Sequence, residues 1–176
     1  MTAVAGSVYT AAQFNQFVRD NLNETAPAKA ATAGSYFAVD GANSIIERVP
    51  EGALDVASGT TTSTSFTDLD APALAGPSVT VTTGVSAVVI VHCTLSNSGT
   101  GSARMGYDIS GAGAVAAADN RGIGFFGAAG ASLVAGTTVL HQSGSLTPGV
   151  NTFTAKYRVS SGTGTFSARR IAVLPL

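Results

Sequence analysis

Few residues in this 176-residue chain have the types and spacing that catalysis requires. A hydrolytic triad needs a nucleophile, a base and an orienting acid within mutual reach. The two histidines, His92 and His141, lie in separate predicted strands, and Asp108 and Asp119 are the only carboxylates after residue 70. We therefore expect His92 to be a hydrogen-bonded core residue and His141 to be a surface or interface residue.

The remaining reactive residues also favour structural roles. Asp68 and Asp70 are close enough in sequence to suggest paired carboxylates for glycoside cleavage, but such neighbours in a turn-like segment are more often solvated acids or caps. Cys93 is the single cysteine, which excludes an intrachain disulfide and a cysteine-based zinc site, and its apolar surroundings predict a buried structural thiol. The sequence thus predicts a protein that is not an enzyme, with no catalytic residue, metal ligand or cofactor.

One stretch, Gly122-Ile123-Gly124-Phe125-Phe126-Gly127, matches the G-x-G-x-x-G pattern of dinucleotide-binding proteins. That site needs a strand before the glycines, a helix after them and an acid about 20 residues later. A turn-like segment precedes this stretch, and residues 128–176 contain no acid. We interpret the match as coincidental and expect Phe125 or Phe126 to lie in the core or an interface.

Composition narrows the classes of partner. Charged residues make up 11% of the chain, against roughly 25% in typical soluble domains. Residues 1–70 hold eight acids and three bases, whereas residues 71–176 hold two acids and six bases. No cluster of lysine and arginine suits phosphate binding, so nucleic acid is not an expected partner. The chain also lacks an apolar run of the roughly 20 residues that span a bilayer, and its start does not resemble a secretory signal.

The N-terminal stretch YTAAQFNQFVRDNL predicts a helix over about residues 11–22. Thr10 and Gln13 fit a capping box, and Tyr9 and Phe14 fit a hydrophobic staple. Apolar residues then recur at helical spacing, which predicts a stripe that must be buried against a partner, because a helix this short is marginal alone. The predicted anchor and partner-binding residues are Tyr9, Phe14, Phe17, Val18 and Leu22.

A short hairpin is predicted over about residues 36–49, after a linker rich in small residues. Apolar runs flank Asp40-Gly41-Ala42-Asn43, a turn-forming sequence. An isolated hairpin is barely stable in water, so helix and hairpin together suggest an arm that needs a host surface. We therefore predict an N-terminal anchor arm over residues 1–52 and a β-domain over residues 53–176.

The β-domain shows the two-residue periodicity of half-buried strands. The clearest case places Phe153, Ala155, Tyr157 and Val159 on one face. Stronger strand candidates are 78–83, 87–96, 103–110, 132–142, 152–160 and 165–174, with weaker ones at 54–57 and 65–69. About eight short strands at this spacing predict a mainly β protein, a jelly-roll-like antiparallel β-sandwich preceded by the short helix and hairpin arm.

Two features predict assembly. The run Val88 to Leu95 is apolar on both faces, so its strand should be covered on both sides, the second cover being another subunit. Alternation breaks at Arg169 and Arg170, which suggests a bulge. We consider two interpretations of this doublet: a subunit interface with an interchain ion pair, or one exposed arginine beside one paired with a nearby acid.

Both ends of the chain resemble small structural proteins of tailed phages, especially phages of actinobacteria. The N-terminal stretch is similar to their opening pattern T-A-A-x-x-N-x-x-[VI]-R-D-N, matched at Asn15 and at Val18-Arg19-Asp20-Asn21. The ending, Asn151 to Tyr157 and Arg169 to Leu176, is similar to their closing strands. This resemblance implies a non-enzymatic virion part, assembled in the host cytoplasm, that attaches through its N-terminal element and projects a β-domain, often as a trimer.

The resemblance leaves three functions open. We expect a minor tail or fibre-type protein, an oligomeric appendage whose partners are copies of itself and other virion proteins of the tail or capsid. The first alternative is a capsid decoration protein. The second is a carbohydrate-binding module that recognises a host surface glycan, although the chain has no Trp and only four Tyr for stacking against sugars.

Overall fold

A computed structural model describes residues 8, 10–19, 22, 29–142 and 144–176. By its internal contacts the chain divides into two units, residues 1–47 and residues 48–176. The predicted boundary between residues 52 and 53 stays a prediction, but the strand that begins at Glu51 already belongs to the sandwich. Within the described residues we find no helix with the length and apolarity needed to span a bilayer.

The first unit contains a short helix whose first part is α-helical and whose second part is π-helical. Helix α1 (Ala11–Phe14) is α-helical and continues as a π-helical segment (Asn15–Arg19). The predicted capping box is confirmed, because the Gln13 amide donates to the Thr10 hydroxyl and the Thr10 amide donates to the Gln13 side chain. A π-helix bonds residue i to i+5, so the predicted apolar stripe does not keep its α-helical spacing. The predicted staple involves Tyr9, which lies outside the described residues.

The predicted hairpin is present in the same unit. Strands β1 (Tyr36–Gly41) and β2 (Ser44–Arg48) pair through a turn at Asn43, whose φ of 59° suits asparagine. The Glu47 carboxylate accepts hydrogen bonds from Ser35 and from the Thr32 amide, and these bonds lower its pKa. They hold the segment before β1 against β2.

The second unit is an antiparallel β-sandwich. Its strands are β3 (Glu51–Asp55), β4 (Gly59–Thr61), β5 (Leu69–Asp70), β6 (Ala73–Leu74), β7 (Ser78–Thr83), β8 (Ala87–Asn97), β9 (Ser102–Gly111), β10 (Gly122–Phe126), β11 (Ser132–His141), β12 (Gly149–Val159) and β13 (Gly164–Pro175). One sheet has the order β11-β8-β13-β3, with β4 also paired to β13, and the other has the order β10-β9-β12-β7. The short strands β5 and β6 pair with each other.

Four pairings among the eight longest strands of this unit nest inside one another along the chain. Strand β3 pairs with β13, β7 with β12, β8 with β11, and β9 with β10. Numbering these eight strands in chain order gives sheets 1-8-3-6 and 2-7-4-5, which is the strand order of a jelly roll. The predicted fold class is therefore confirmed.

The core lies between the two sheets and consists of alternate residues of each strand. On β8 every odd-numbered residue from Ala87 to Asn97 is buried, and on β12 the predicted set of Phe153, Ala155, Tyr157 and Val159 is fully buried. Cys93 lies in this core, as predicted, and burial raises the pKa of its thiol to about 12. Such a thiol is protonated and unreactive at neutral pH.

Strand prediction was accurate where alternation is clear and failed where glycine dominates. The predicted strand 78–83 coincides with β7, and the other stronger candidates match strands to within three residues at each end. The G-x-G-x-x-G stretch is strand β10, which we did not predict. A Cβ on Gly122 would lie 2.0 Å from the Met105 carbonyl oxygen, so glycine is required by close backbone approach. Residues 65–68 form a loop, and only Leu69–Asp70 is a strand there.

Candidate interaction surfaces

The two histidines have different environments. His92 is half-buried, and its Nδ1 lies 3.2 Å from the carbonyl oxygen of Ala168. The prediction that His141 is a surface or interface residue is wrong: it is 6% exposed within its own chain, and its Nε2 lies 2.7 Å from the Tyr107 hydroxyl oxygen. Burial, together with the charge of Arg121, lowers the pKa of His141, so the ring is neutral at physiological pH.

The paired carboxylates have separate partners. Asp70 accepts a hydrogen bond of 2.6 Å from the Thr61 hydroxyl, and Asp68 accepts one of 2.9 Å from the Lys156 ammonium. Both aspartates are exposed. Among the described residues no group of three or more histidine, cysteine, aspartate or glutamate side chains is arranged to hold a metal ion.

The two arginines of the doublet have opposite environments because of a bulge in β13. Between Ser167 and Arg170 two residues oppose one on β8, and Ala168 adopts a φ of 48°. The extra residue turns Arg169 inward, where it is fully buried, while Arg170 is exposed on the outer face. The predicted bulge is thus present, with one arginine exposed and its neighbour paired with an acid.

Arg169 is neutralised inside its own chain. Its Nη2 donates to the Asp55 carboxylate, its Nη1 lies 3.3 Å from the Tyr157 hydroxyl oxygen, and the guanidinium lies 5.5 Å from the centre of the Tyr157 ring. The guanidinium therefore ties β13 to β3 beneath the sheet. The interface prediction for the doublet stays a prediction, and only Arg170 is placed where a second chain could reach it.

The outer face of the β11-β8-β13-β3 sheet, called here the apolar face, carries large apolar side chains on all four strands. These outward residues are Leu54, Val88, Ile90, Val134, Leu140 and Leu174. Their exposed fractions reach 51% for Leu54, 56% for Leu140 and 64% for Val134. The remaining outward positions hold small residues (Gly52, Gly136 and Ala172), hydroxyl residues (Thr94, Ser96, Ser132, Thr138, Thr165 and Ser167), His92 and Arg170.

The apolar face has almost no charge. Among its described outward residues only Arg170 carries a full charge, and His92 is the one other ionisable side chain. A hollow of about 230 Å³ lies beside Arg170, lined by Gly52, Ala53, Leu54 and Ala172. The apolar face is therefore a candidate interaction surface.

The outer face of the other sheet is polar. Hydroxyl pairs connect β7 to β12, with 2.8 Å between the oxygens of Thr80 and Thr152 and 3.1 Å between those of Ser78 and Thr154. Further along this face, β9 carries Arg104 and Asp108, and β12 carries Lys156 and Arg158. Val150 is the exposed apolar residue on this face of β12.

A groove of about 550 Å³, called here the polar groove, crosses this face. Its lining residues are Thr64, Ser65, Phe66, Asp108, Ala116, Ala117, Asp119, Lys156 and Arg158. Strands β9 and β12 supply the floor, and the loops before β5 and before β10 supply the walls. A Cβ on Gly106 would lie 3.0 Å from the Phe66 ring and 3.3 Å from the Ala118 carbonyl oxygen, so this glycine lets both walls approach the floor.

At one end of the polar groove, Arg158 and Asp119 form an ion pair in which both carboxylate oxygens accept hydrogen bonds. Arg158 donates from Nε and Nη2 to the two carboxylate oxygens of Asp119, with 2.8 Å for the Nε bond. These bonds lower the pKa of Asp119 and raise that of Arg158. Arg104 lies 3.7 Å from the same carboxylate, and its guanidinium covers the exposed Phe126 ring at 4.8 Å.

At the other end of the polar groove, the Asp108 carboxylate has fewer hydrogen-bond donors than Asp119 has. The Lys156 Nζ lies 2.9 Å from Asp68 but 3.9 Å from the Asp108 carboxylate, which is beyond hydrogen-bonding distance. Burial raises the pKa of Asp108, and the charge of Asp68 adds to this effect while Lys156 opposes it. Sequence reasoning missed this site, because its residues come from four separated segments.

The predicted anchor residues are partly visible. Phe14 is 51% exposed, Leu22 is 61% exposed and Val18 is half-buried. Tyr9 and the side chain of Phe17 lie outside what the structure describes. The arm therefore carries large apolar side chains exposed to solvent in the described part of its helix.

Comparison with known proteins adds little. No protein-family model matches the chain, and no curated protein matches it. Among solved structures the chain is similar to a carbohydrate-binding module, CBM6cm-2, from Cellvibrio mixtus lichenase 5A in complex with cellotriose. The identity is 15%, the alignment covers 86% of this chain and 94% of that chain, and the TM-score is 0.31. A similarity of this strength supports no inference about function.

Proposed function

We propose that this chain is a non-enzymatic structural protein of a phage particle. In this proposal it is an oligomeric appendage of the minor tail or fibre type, a homotrimer whose N-terminal arm attaches to other virion proteins and whose sandwich projects. The observation that carries the proposal is the apolar face, which is uncharged over most of four strands and directly opposite a polar face. The assignment to a phage particle comes from the sequence resemblance to tailed-phage proteins.

The size of the apolar face suits association between copies. Strands β8, β11 and β13 are 11, 10 and 12 residues long and β3 is 5 residues long, so at about 3.3 Å per residue and about 4.8 Å between strands this sheet face covers about 600 Å². Standard interfaces bury about 800 Å² per partner, so this face and its rim approach that size. Isolated exposed leucines need no explanation, whereas a continuous patch of this area does.

The arm supports attachment. Phe14 and Leu22 expose more than half of their side-chain surface, and burying both on a partner would contribute about 2–4 kcal/mol before ordering costs. Three arms joined in one trimer would bind far more firmly than one, because the second and third binding events are intramolecular.

The test is incorporation into particles. Phe14→Asp combined with Leu22→Asp should remove the protein from purified particles while its circular dichroism stays that of the wild type. Val150→Asp, an equally exposed apolar position on the polar face, is the matched control and should be incorporated normally. Normal incorporation of the double variant would refute the anchor.

The alternative proposal is that the protein lies on the capsid rather than on the tail. Gold labelling of incorporated protein in electron micrographs distinguishes the two, since a tail-type protein gives label at the tail and a decoration protein gives label over the head. Label over the head would keep the arm and the apolar face but replace the fibre role with capsid decoration.

A further inference from the structure

We infer that the polar groove is a binding site for a neutral saccharide, with the Asp108 carboxylate and the Lys156 ammonium as its central hydrogen-bonding pair. This inference does not depend on the phage assignment or on oligomerisation, because every residue of the groove comes from one sandwich. It assigns a ligand class to a site formed by β9, β12 and two loops.

The charge of the lining favours an uncharged ligand. Asp108 and Asp119 supply two negative charges, and Lys156 and Arg158 supply two positive charges. The formal charge of the lining is therefore zero, and an anion or a cation entering it would meet a like charge at close range. A ligand with hydroxyl groups, which both donate and accept, meets no such penalty.

The Asp108 carboxylate has unused acceptor capacity. Among the described residues no other side chain donates a hydrogen bond to it, and Lys156 stands 3.9 Å away. It is nevertheless partly withdrawn from water by the surrounding loops. A partly desolvated carboxylate without its full set of donors gains strongly from a ligand hydroxyl, because hydrogen bonds to charged groups are the stronger ones.

Lys156 offers hydrogen-bond donors close to the acceptor oxygens of Asp108. The Lys156 ammonium has three N–H groups, and its hydrogen bond to Asp68 uses one of them. Adjacent hydroxyl groups of a sugar ring can therefore accept from Lys156 and donate to Asp108 together, bridging from the groove side the two charged groups that lie 3.9 Å apart.

The walls suit the carbon side of a sugar ring. Phe66, Ala116 and Ala117 line the groove with apolar groups, while Thr64 and Ser65 add hydroxyls at the rim. The volume of about 550 Å³ falls within the range of roughly 300–1,000 Å³ for small-ligand sites. Because the groove is open, a chain of sugars can pass along it with one residue held at Asp108.

The test is saturation-transfer NMR on the full-length protein with a panel of neutral probes: glucose, galactose, mannose, rhamnose, arabinose and the trimer of N-acetylglucosamine. Glucuronic acid and N-acetylneuraminic acid are the acidic probes. Titration of any probe that gives a signal then yields its Kd for the wild type and for each variant.

Asp108→Asn should weaken binding of the neutral probe by about tenfold, the loss expected for one hydrogen bond to a charged group. Glu51→Gln is the matched control, because it removes an exposed carboxylate from the other sheet, and it should leave the Kd unchanged. Ala117→Phe should abolish binding by filling the groove without altering its charge, which keeps the test valid if Asp108→Asn folds poorly.

Three results would overturn the inference. The first is no transfer to any neutral probe at 50 mM, taken as roughly the weakest useful affinity. The second is binding that survives both Asp108→Asn and Ala117→Phe, which would place the sugar elsewhere. The third is transfer to the acidic probes alone, which would make the groove an anion site. None of these results bears on incorporation into particles.

Discussion

The two outer faces of the sandwich have the same backbone architecture and opposite chemistry. On the apolar face, six large aliphatic side chains share the surface with small and hydroxyl residues and with one charged residue, Arg170. On the polar face, hydroxyl pairs and ion pairs cover β12 and β9. The inner faces of the two sheets are equally apolar, so core packing does not explain the difference. The difference between the outer faces therefore reflects what each one meets: the polar face suits water and a hydroxylated ligand, whereas a second protein surface is the proposed partner of the apolar face.

The largest expected effect comes from placing charge on the apolar face. Ile90→Lys combined with Leu140→Lys should dissociate the oligomer, because six ammonium groups would be buried in a trimer without partners. Native mass spectrometry measures the outcome. Thr80→Lys with Thr152→Lys places the same charges on the polar face and should leave the wild-type assembly intact. If both double variants keep the wild-type mass, the apolar face is not the interface.

The next prediction compares two neighbouring arginines of β13, one buried and one exposed. Arg169→Met should lower the free energy of unfolding by about 3 kcal/mol, since it leaves Asp55 without its buried partner. Arg170→Met changes an exposed neighbour and should cost less than about 0.5 kcal/mol. Urea denaturation of both variants gives the two values. Equal losses would show that burial of Arg169 does not determine its contribution.

The stability of the core between the two sheets should decrease in mild acid. His141 has a folded-state pKa below its unfolded value of about 6.5, so the unfolded chain binds a proton first. Stability is complete above pH 6.5 and falls as pH drops below it, by at most about 1.4 kcal/mol per pH unit. Denaturation curves between pH 7 and pH 5 measure this slope, and His141→Gln should flatten it. A slope that persists in the variant would assign the effect to other groups.

The smallest effect is expected on the polar face. Asp119→Asn removes the exposed acid that pairs with Arg158 and should change stability by less than about 1 kcal/mol, with a smaller effect in high salt. Thermal unfolding at two salt concentrations provides the comparison. A loss as large as that of Arg169→Met would mean that the groove loops depend on this ion pair for their folding.

Sequence alone predicted most of the sandwich because alternation is a direct consequence of burying one face of a strand. The run Val88 to Leu95, which lacks alternation, predicted a β8 that is apolar on both faces; its outer face carries Val88 and Ile90 but also His92 and Thr94. Strand β10 was missed because glycines selected for close approach to Met105 resemble a loop. His141 was placed wrongly because its hydrogen bond to Tyr107 joins residues that only the folded sheets bring together.

The polar groove could not have been predicted for the same reason. Phe66, Asp108, Asp119 and Lys156 lie in four segments, and each one separately has the sequence character of an ordinary exposed residue. Their proximity follows from strand order and from the small size of Gly106 at the floor. Sites of this kind depend on tertiary structure, whereas faces of single strands can be predicted from sequence.

The most direct measurement is the solution mass of the full-length wild-type chain by light scattering over a wide concentration range. We predict a stable species of three times the 17.4 kDa chain mass, held by the apolar face. A monomer of 17.4 kDa at every concentration would contradict it, because the apolar face would then be exposed to water with no copy of the chain to cover it.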